Sequence, residues 1–124
     1  MKNKKLKRIK AWVKALKSGK YKQTTEQLYD GKGFCCLGVA TDLYLKEKGK
    51  EWQKETSRSY GVDNEFDEIE TSELTTRIAS WYGLKLRSPE VSHKGLGRTL
   101  MYLNDSEKLS FKKIAKLIKK TYLK

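Results

Sequence analysis

Apolar residues recur at steps of three and four near both ends of the chain, and that spacing predicts helices there. Between Lys5 and Ser18, Leu6, Ile9, Val13 and Leu16 form one stripe, with Trp12 beside it and lysines elsewhere. Gly19 follows the last apolar turn, where a C-terminal cap is expected. No acid occurs before Glu26, so the segment reads as a basic amphipathic helix, with packing on its own domain favoured over a membrane-surface role. Near the other end, SFKKIAKLIKKTYLK puts Phe111, Ile114, Ala115, Leu117 and Ile118 on one buried face. Ser110 is the expected N-cap, and Leu109 and Ile114 sit where a hydrophobic staple packs.

The middle is less regular. Asp30-Gly31 between apolar runs is a hairpin signal, predicting a strand at Gln27–Tyr29 that returns through Phe34–Cys36. Helical spacing follows in CCLGVATDLYLKEKG, where Cys36, Val39 or Ala40, Leu43 and Tyr44 share a face and Gly49 ends the run. Cys35 and Cys36 therefore fall at a strand-to-helix junction, with Gly38 permitting close backbone approach. Residues 50 to 71 show no clear period and begin an acidic run of Asp63, Glu65, Asp67, Glu68, Glu70 and Glu73. A mobile acidic loop that turns its charge toward the basic helices is expected there. Ser72 is read as the cap of a helix through Leu74, Ile78 and Trp81, which Gly83 stops. Pro89 marks an extended turn. Leu96, Leu100 and Leu103 suggest a short helix closing at Asn104-Asp105, with a strand as the alternative. The sum is an α+β fold: one small domain over residues 1–124, three to four helices packed around a short β-hairpin.

Composition narrows the class. With 124 residues there is room for one core, and three Trp, seven Tyr and three Phe offset a hydrophobic fraction of 37%. The net charge of +13 predicts attraction to nucleic acid, nucleotides, an acidic protein or lipid headgroups, with simple solubility as the plain alternative. Lys outnumbers Arg, and Arg is the better specific reader of phosphate. No window approaches ~18 apolar residues, and the lysine-rich start lacks an apolar secretory core. A cytoplasmic location without a membrane partner is expected, where thiols stay reduced.

Adjacent thiols admit several chemistries. Zinc would need four tetrahedral ligands, and His93 is the one histidine to join Cys35 and Cys36, so no metal is expected. A thiolate nucleophile could draw on His93 and Asn104, and a vicinal disulfide would need an oxidising setting. The favoured reading is structural: one thiol fills the core and its neighbour lines a surface or pocket, with Gly38 beside them. The phosphate-binding GxxxxGK[ST] and GxGxxG loops are absent from the sequence, as are HExxH and G-x-S-x-G. Neither an enzyme nor a cofactor is expected. Gly95-Leu96-Gly97-Arg98 is a small turn whose amides could cradle a phosphate. SFKKIAKLIKK resembles the first helix of a helix-turn-helix, but the sequence ends at Lys124 before a recognition helix.

Together the motifs resemble a family of small uncharacterised tailed-phage and prophage proteins. The likeness lies in W-x-x-A-L-x-S-G-x-Y-x-Q (Trp12 to Gln23), F-C-C-L-G-V (Phe34 to Val39), Asp42-Leu43, W-x-G-L (Trp81 to Leu84), Pro89 with Val91, L-N-D (Leu103 to Asp105) and F-x-x-I-A-x-x-I (Phe111 to Ile118). Members often carry a further cysteine where this chain has Thr41, which argues against a shared three-thiolate metal site. The resemblance implies a phage accessory protein in the host bacterial cytoplasm. It further implies action by stoichiometric binding, as counter-defence, by sequestering an anionic nucleotide signal or blocking a host defence protein. A pocket could lie within one chain or at a homo-oligomer seam. Candidate ligand residues are Tyr21 and Trp81 for stacking a base, Gln23 and Asn104 for its polar edges, Lys22 and Arg98 for phosphate, and Asp105 for a ribose hydroxyl. Core packing and backbone capping are their plain alternatives. A nucleic-acid-binding accessory factor is the second reading, and a Cys-dependent enzyme the third.

Overall fold

The computed structural model describes residues 3–64, 66 and 68–123. These form one α+β domain. Its helices are α1 (Asn3–Lys17), α2 (Cys36–Lys48), α3 (Thr76–Tyr82), α4 (Leu100–Asp105) and α5 (Phe111–Tyr122). Strands β1 (Gln53–Thr56), β2 (Ser59–Asp63) and β3 (Ile69–Glu70) make an antiparallel sheet in sequential order. A separate hairpin pairs β4 (Glu90–His93) with β5 (Leu96–Thr99).

The amphipathic ends behave as their spacing dictates. Helix α1 buries Ile9, Trp12, Val13 and Leu16, while α5 buries Phe111, Ile114, Ala115 and Ile118. The two pack together, and α2 fills the centre with Cys36, Leu37, Val39, Ala40, Tyr44 and Leu45. Trp12 is wholly enclosed, and its indole N–H donates to the Cys36 carbonyl at 3.0 Å, so the ring's one polar atom is satisfied inside the core. Tyr82 does the same through a 2.5 Å bond to the Ala40 carbonyl. Ser110 caps α5 by accepting from the Lys113 N–H, and Gly49 and Gly83 close α2 and α3 in left-handed geometry.

The expected hairpin at Gln27–Tyr29 and Phe34–Cys36 is reduced to isolated bridges. Tyr29 bridges Phe34 and Tyr60, and Phe34 also bridges Gln23. Asp30 Oδ1 accepts from the Lys32 and Gly33 amides at 2.8 and 2.7 Å, which curls the turn tightly. Phe34 then exchanges backbone bonds with Lys22 and Thr24, and α2 begins two residues later, so no ladder can grow. Regular strands occur instead within residues 50–71, the stretch expected to be a loop. Here Gly61 explains the pairing: a Cβ there would lie 2.2 Å from the Glu70 carbonyl oxygen, so only glycine lets β3 close on β2.

The acidic run is tied down locally. Glu70 accepts from the Ser72 hydroxyl and the Ser72 and Glu73 amides, and Arg87 pairs with both Glu70 and Glu73. Among the described residues these carboxylates do not pair with the basic helices; Glu65 and Asp67 lie outside the described set. Ser72 is therefore spent on Glu70, and the cap of α3 is Thr75, whose hydroxyl accepts from the Ile78 amide at 3.1 Å. No described helix is long and apolar enough to cross a membrane.

Candidate functional site

Of the residues expected to hold a ligand, Gln23, Asn104 and Asp105 do meet, around a buried Asn104 with the other two half-buried beside it. Asn104 is fully buried. Its Oδ1 accepts from Gln23 Nε2 at 2.9 Å and from the Cys36 amide at 3.2 Å. Its Nδ2 donates to the Thr24 carbonyl at 2.9 Å and to Asp105 Oδ1 at 2.8 Å. A primary amide has two donor hydrogens and two acceptor lone pairs, so all four valences are taken. Gln23 gives its second hydrogen to the Leu109 carbonyl and accepts from the Phe111 amide. Both amides thus fasten the 23–24 segment to the start of α2, the end of α4 and the start of α5. Asn104 has nothing left with which to read a ligand edge, and Gln23 keeps a single acceptor lone pair.

The other candidates are dispersed. Trp81 lies beneath the Arg8 guanidinium, 4.2 Å from the ring centre, and meets Tyr44 and Tyr82 edge-on. Arg8 also donates to the Trp81 carbonyl at 2.7 Å. Arg98 lies on β5, 5.1 Å over the Tyr102 ring. The glycine turn before it is a two-residue hairpin through Lys94 and Gly95, both at positive φ, with His93 paired to Leu96. Leu96 to Arg98 are strand residues, so the expected phosphate cradle is a hairpin instead. Lys22 is exposed beyond the Phe34 bridge.

Tyr21 stands in a cluster that the sequence did not announce. Its hydroxyl donates to Asp42 Oδ2 at 2.6 Å, while Trp52 Nε1 reaches Asp42 Oδ1 at 3.0 Å and Lys46 pairs with the same carboxylate at 3.0 Å. Asp42 was visible only as a motif residue; the four-residue spacing to Lys46 on a helix was the one signal that could have found the pair.

The thiols are both interior, so neither lines a surface or pocket as expected. Cys35 is 4% exposed and Cys36 0%. Cys35 is the N-cap of α2, its sulfur accepting from the Gly38 amide at 3.3 Å, the place usually held by Ser or Asp. Cys36 Sγ points to the Leu100 carbonyl at 3.7 Å. His93 lies instead in a cleft with Lys94, Lys113 and Lys116. Burial pushes the Cys35 thiol up to about 12 and raises Cys36 well above its ordinary range. These are poor conditions for a thiolate nucleophile.

The same burial predicts alkaline weakening. Desolvation, with the Asp42 bond second, raises Tyr21 to about 12, and desolvation raises Tyr82 as well. Each group is protonated in the fold and ionises first in the unfolded chain, so stability is full below the unfolded values of 9.0 for Cys and 10.0 for Tyr. It is then lost as pH rises through the folded values, by up to ~1.4 kcal/mol per pH unit for each of the buried groups Cys35, Cys36 and Tyr82, and by less for the half-exposed Tyr21, which solvent screens. Urea midpoints should hold steady from neutral pH to the thiol range and fall above it. A flat profile through that range would contradict the buried thiols.

One surface stands out electrostatically. Helix α1 carries Lys4, Lys5, Lys7, Arg8, Lys10, Lys14 and Lys17, and α5 carries Lys112, Lys113, Lys116, Lys119 and Lys120, with no acid on either. These twelve cations nearly equal the net +13; the rest of the chain has sixteen basic and fifteen acidic residues. Lys17 shares a shallow groove with Lys112, Lys113 and Lys116, and Lys10 and Lys14 share another with Lys119. The helices therefore run antiparallel, with Lys10, Lys14, Lys17, Lys112, Lys113, Lys116 and Lys119 along the grooves between them. Among the described residues, none of the twelve pairs with a carboxylate.

No curated protein and no solved structure matches the chain significantly. Residues 1–122 match the family described as Domain of unknown function (DUF8296), and with nearly its whole length aligned the chain belongs to that family.

Proposed function

We propose that the protein acts by binding rather than by catalysis, and that its α1–α5 face holds the phosphate backbone of duplex nucleic acid without reading sequence. The carrying observation is the segregation of charge: twelve cations without acids on two packed helices, against near neutrality elsewhere. A diffuse lysine surplus, retained only for solubility, would not sort itself this way. Like charges so close repel one another, and a polyanion relieves that repulsion while releasing its own counterions.

Two features favour duplex over single strands and generic over specific contact. The large exposed apolar residues are Phe66, Leu86, Leu96 and Tyr102, none of them on α1 or α5, so the face offers no stacking platform for unpaired bases. Base edges are read mainly by Arg, Asn and Gln. Helix α5 has none of these; on α1 they are Asn3, at its first residue, and Arg8, which is engaged with Trp81. In keeping with the sequence resemblance, the setting would be the cytoplasm of a phage-infected bacterium, where the protein serves as an accessory or counter-defence factor.

Duplex DNA of unrelated sequences should bind alike. If about six lysines each neutralise a phosphate, the logarithm of affinity should fall with the logarithm of salt at a slope near −5. Replacing Lys14, Lys17, Lys113 and Lys116 together by Gln should lower affinity at least ~100-fold and flatten the slope by ~3 to 4, with an unchanged or higher melting temperature. Undetectable duplex binding at low salt, tighter binding of single strands, or an unaltered slope in the fourfold variant would overturn the reading.

A further inference from the structure

A separate trough lies on the neighbouring flank of α1. On the side facing α2, α1 presents Ala11 and Ala15, whose small side chains leave a trough of about 530 Å³ closed by Phe34, Tyr21 and Leu43. That volume is within the range of small-molecule sites. Its floor is apolar and one wall is aromatic, made by Tyr21 and Phe34 edge-to-face at 5.1 Å and 82°. Lys14, Lys20 and Lys46 stand at its margin.

The trough is also held in shape. Tyr21 cannot swing away, because its hydroxyl is fixed to Asp42, which Trp52 and Lys46 hold in turn. Asp42 is buried, and its carboxylate is already engaged by three donors, so it opposes an incoming anion less than a free acid would. Lys46 lies 5.6 Å from the centre of the Tyr21 ring, which keeps positive charge at the mouth. Three ammonium groups against one engaged carboxylate leave the site cationic, around an open apolar trough with an aromatic wall.

From this arrangement we infer that the α1–α2 trough binds a small planar anion of the nucleoside monophosphate class, its ring against Ala11, Ala15 and Leu43 and its phosphate toward Lys14 and Lys20. The inference stands apart from the duplex reading, which uses the neighbouring flank of α1, although Lys14 borders both. Saturated aliphatic anions would not use the aromatic walls, and inorganic phosphate would not use the floor.

The test is titration of the full chain, followed by amide chemical shifts, with the four ribonucleoside monophosphates, the matching nucleosides and inorganic phosphate as separate probes. At least one monophosphate should shift resonances of residues 11–21 and 43–46, and should bind about tenfold tighter than either its nucleoside or phosphate. Ala15→Met, which fills the floor with a good helix former and changes no charge, should weaken that binding about tenfold. Duplex affinity should stay unchanged in the same variant, so failure of the trough and failure of the lysine face give different results. Lys20→Gln should weaken the monophosphate severalfold while the nucleoside is unaffected. Monophosphates that bind no better than phosphate, that shift other residues, or that bind Ala15→Met as well as the parent would overturn the inference.

Discussion

Gly38→Ala should abolish folding at ambient temperature. A Cβ on residue 38 would lie 1.7 Å from the Leu28 carbonyl oxygen and 2.7 Å from its carbon, both backbone atoms. Leu28 cannot retreat: it is fully buried, its amide donates to the Thr71 carbonyl at 2.7 Å, and its carbonyl accepts from the Cys35 amide at 3.3 Å. Residue 38 cannot retreat either, since it lies in the first turn of α2 with its amide on the capping sulfur. Relief would mean parting the 28–35 crossing from the helix that fills the core. That places the cost above ~5 kcal/mol, comparable with the whole stability of a domain this size. Gly49→Ala is the control. It sits at φ +66 with nothing near its Cβ, so only local left-handed strain of ~1 kcal/mol applies. Circular dichroism and urea titration should show an unfolded first variant and a slightly weakened second. A cooperative Gly38→Ala melt near the parent's would mean the crossing is not as close as described.

The same locality explains what could be read from the sequence. Elements built from contacts within themselves are legible in the sequence: α1 and α5 through their apolar stripes, Ser110 as cap, Gly49 and Gly83 as terminators. Errors arose where a distant partner decides. The Tyr29–Phe34 hairpin pairing is present as one antiparallel bridge, but the backbone bonds of Phe34 go to Lys22 and Thr24, and Tyr29 is shared with Tyr60 from β2. The acidic run looked like a loop because its period is short and its charge high, yet Gly61 and Arg87 close it into β3 and its turn. Ser72 and Thr75 are equally good caps on paper, and only the position of Glu70 decides between them. The site suffered most. Gln23, Asn104 and Tyr21 have side chains suited to reading a nucleotide, and sequence does not say that two of them face inward. The net charge was legible and its division between α1–α5 and the rest was not, because that depends on two terminal helices packing side by side.

Asn104 carries the second large effect, and two substitutions separate its roles. Asn104→Ala removes both donors and both acceptors at once. The Cys36 amide then loses its partner in the buried core, and the Thr24 carbonyl and one hydrogen of Gln23 Nε2 lose theirs where they are partly buried. At ~1–3 kcal/mol for each stranded group, softened because Gln23 keeps Leu109, the loss should be ~3–5 kcal/mol. Asn104→Asp keeps the shape and both acceptors but turns an oxygen toward the Thr24 carbonyl and Asp105 Oδ1, where Nδ2 had donated. Burial beside another carboxylate favours the protonated acid, which can restore one of the two donations. A carboxyl raised in the fold loses its stabilisation as pH climbs through the folded value, so this variant should be far weaker at neutral pH than in mild acid, relative to the parent at each pH. The Ala variant should show no such dependence. Equal losses for both variants at every pH would mean that the Asn104 amide hydrogens reach water rather than Thr24 and Asp105, and that the 23–24 segment is held to α2 and α5 by packing alone.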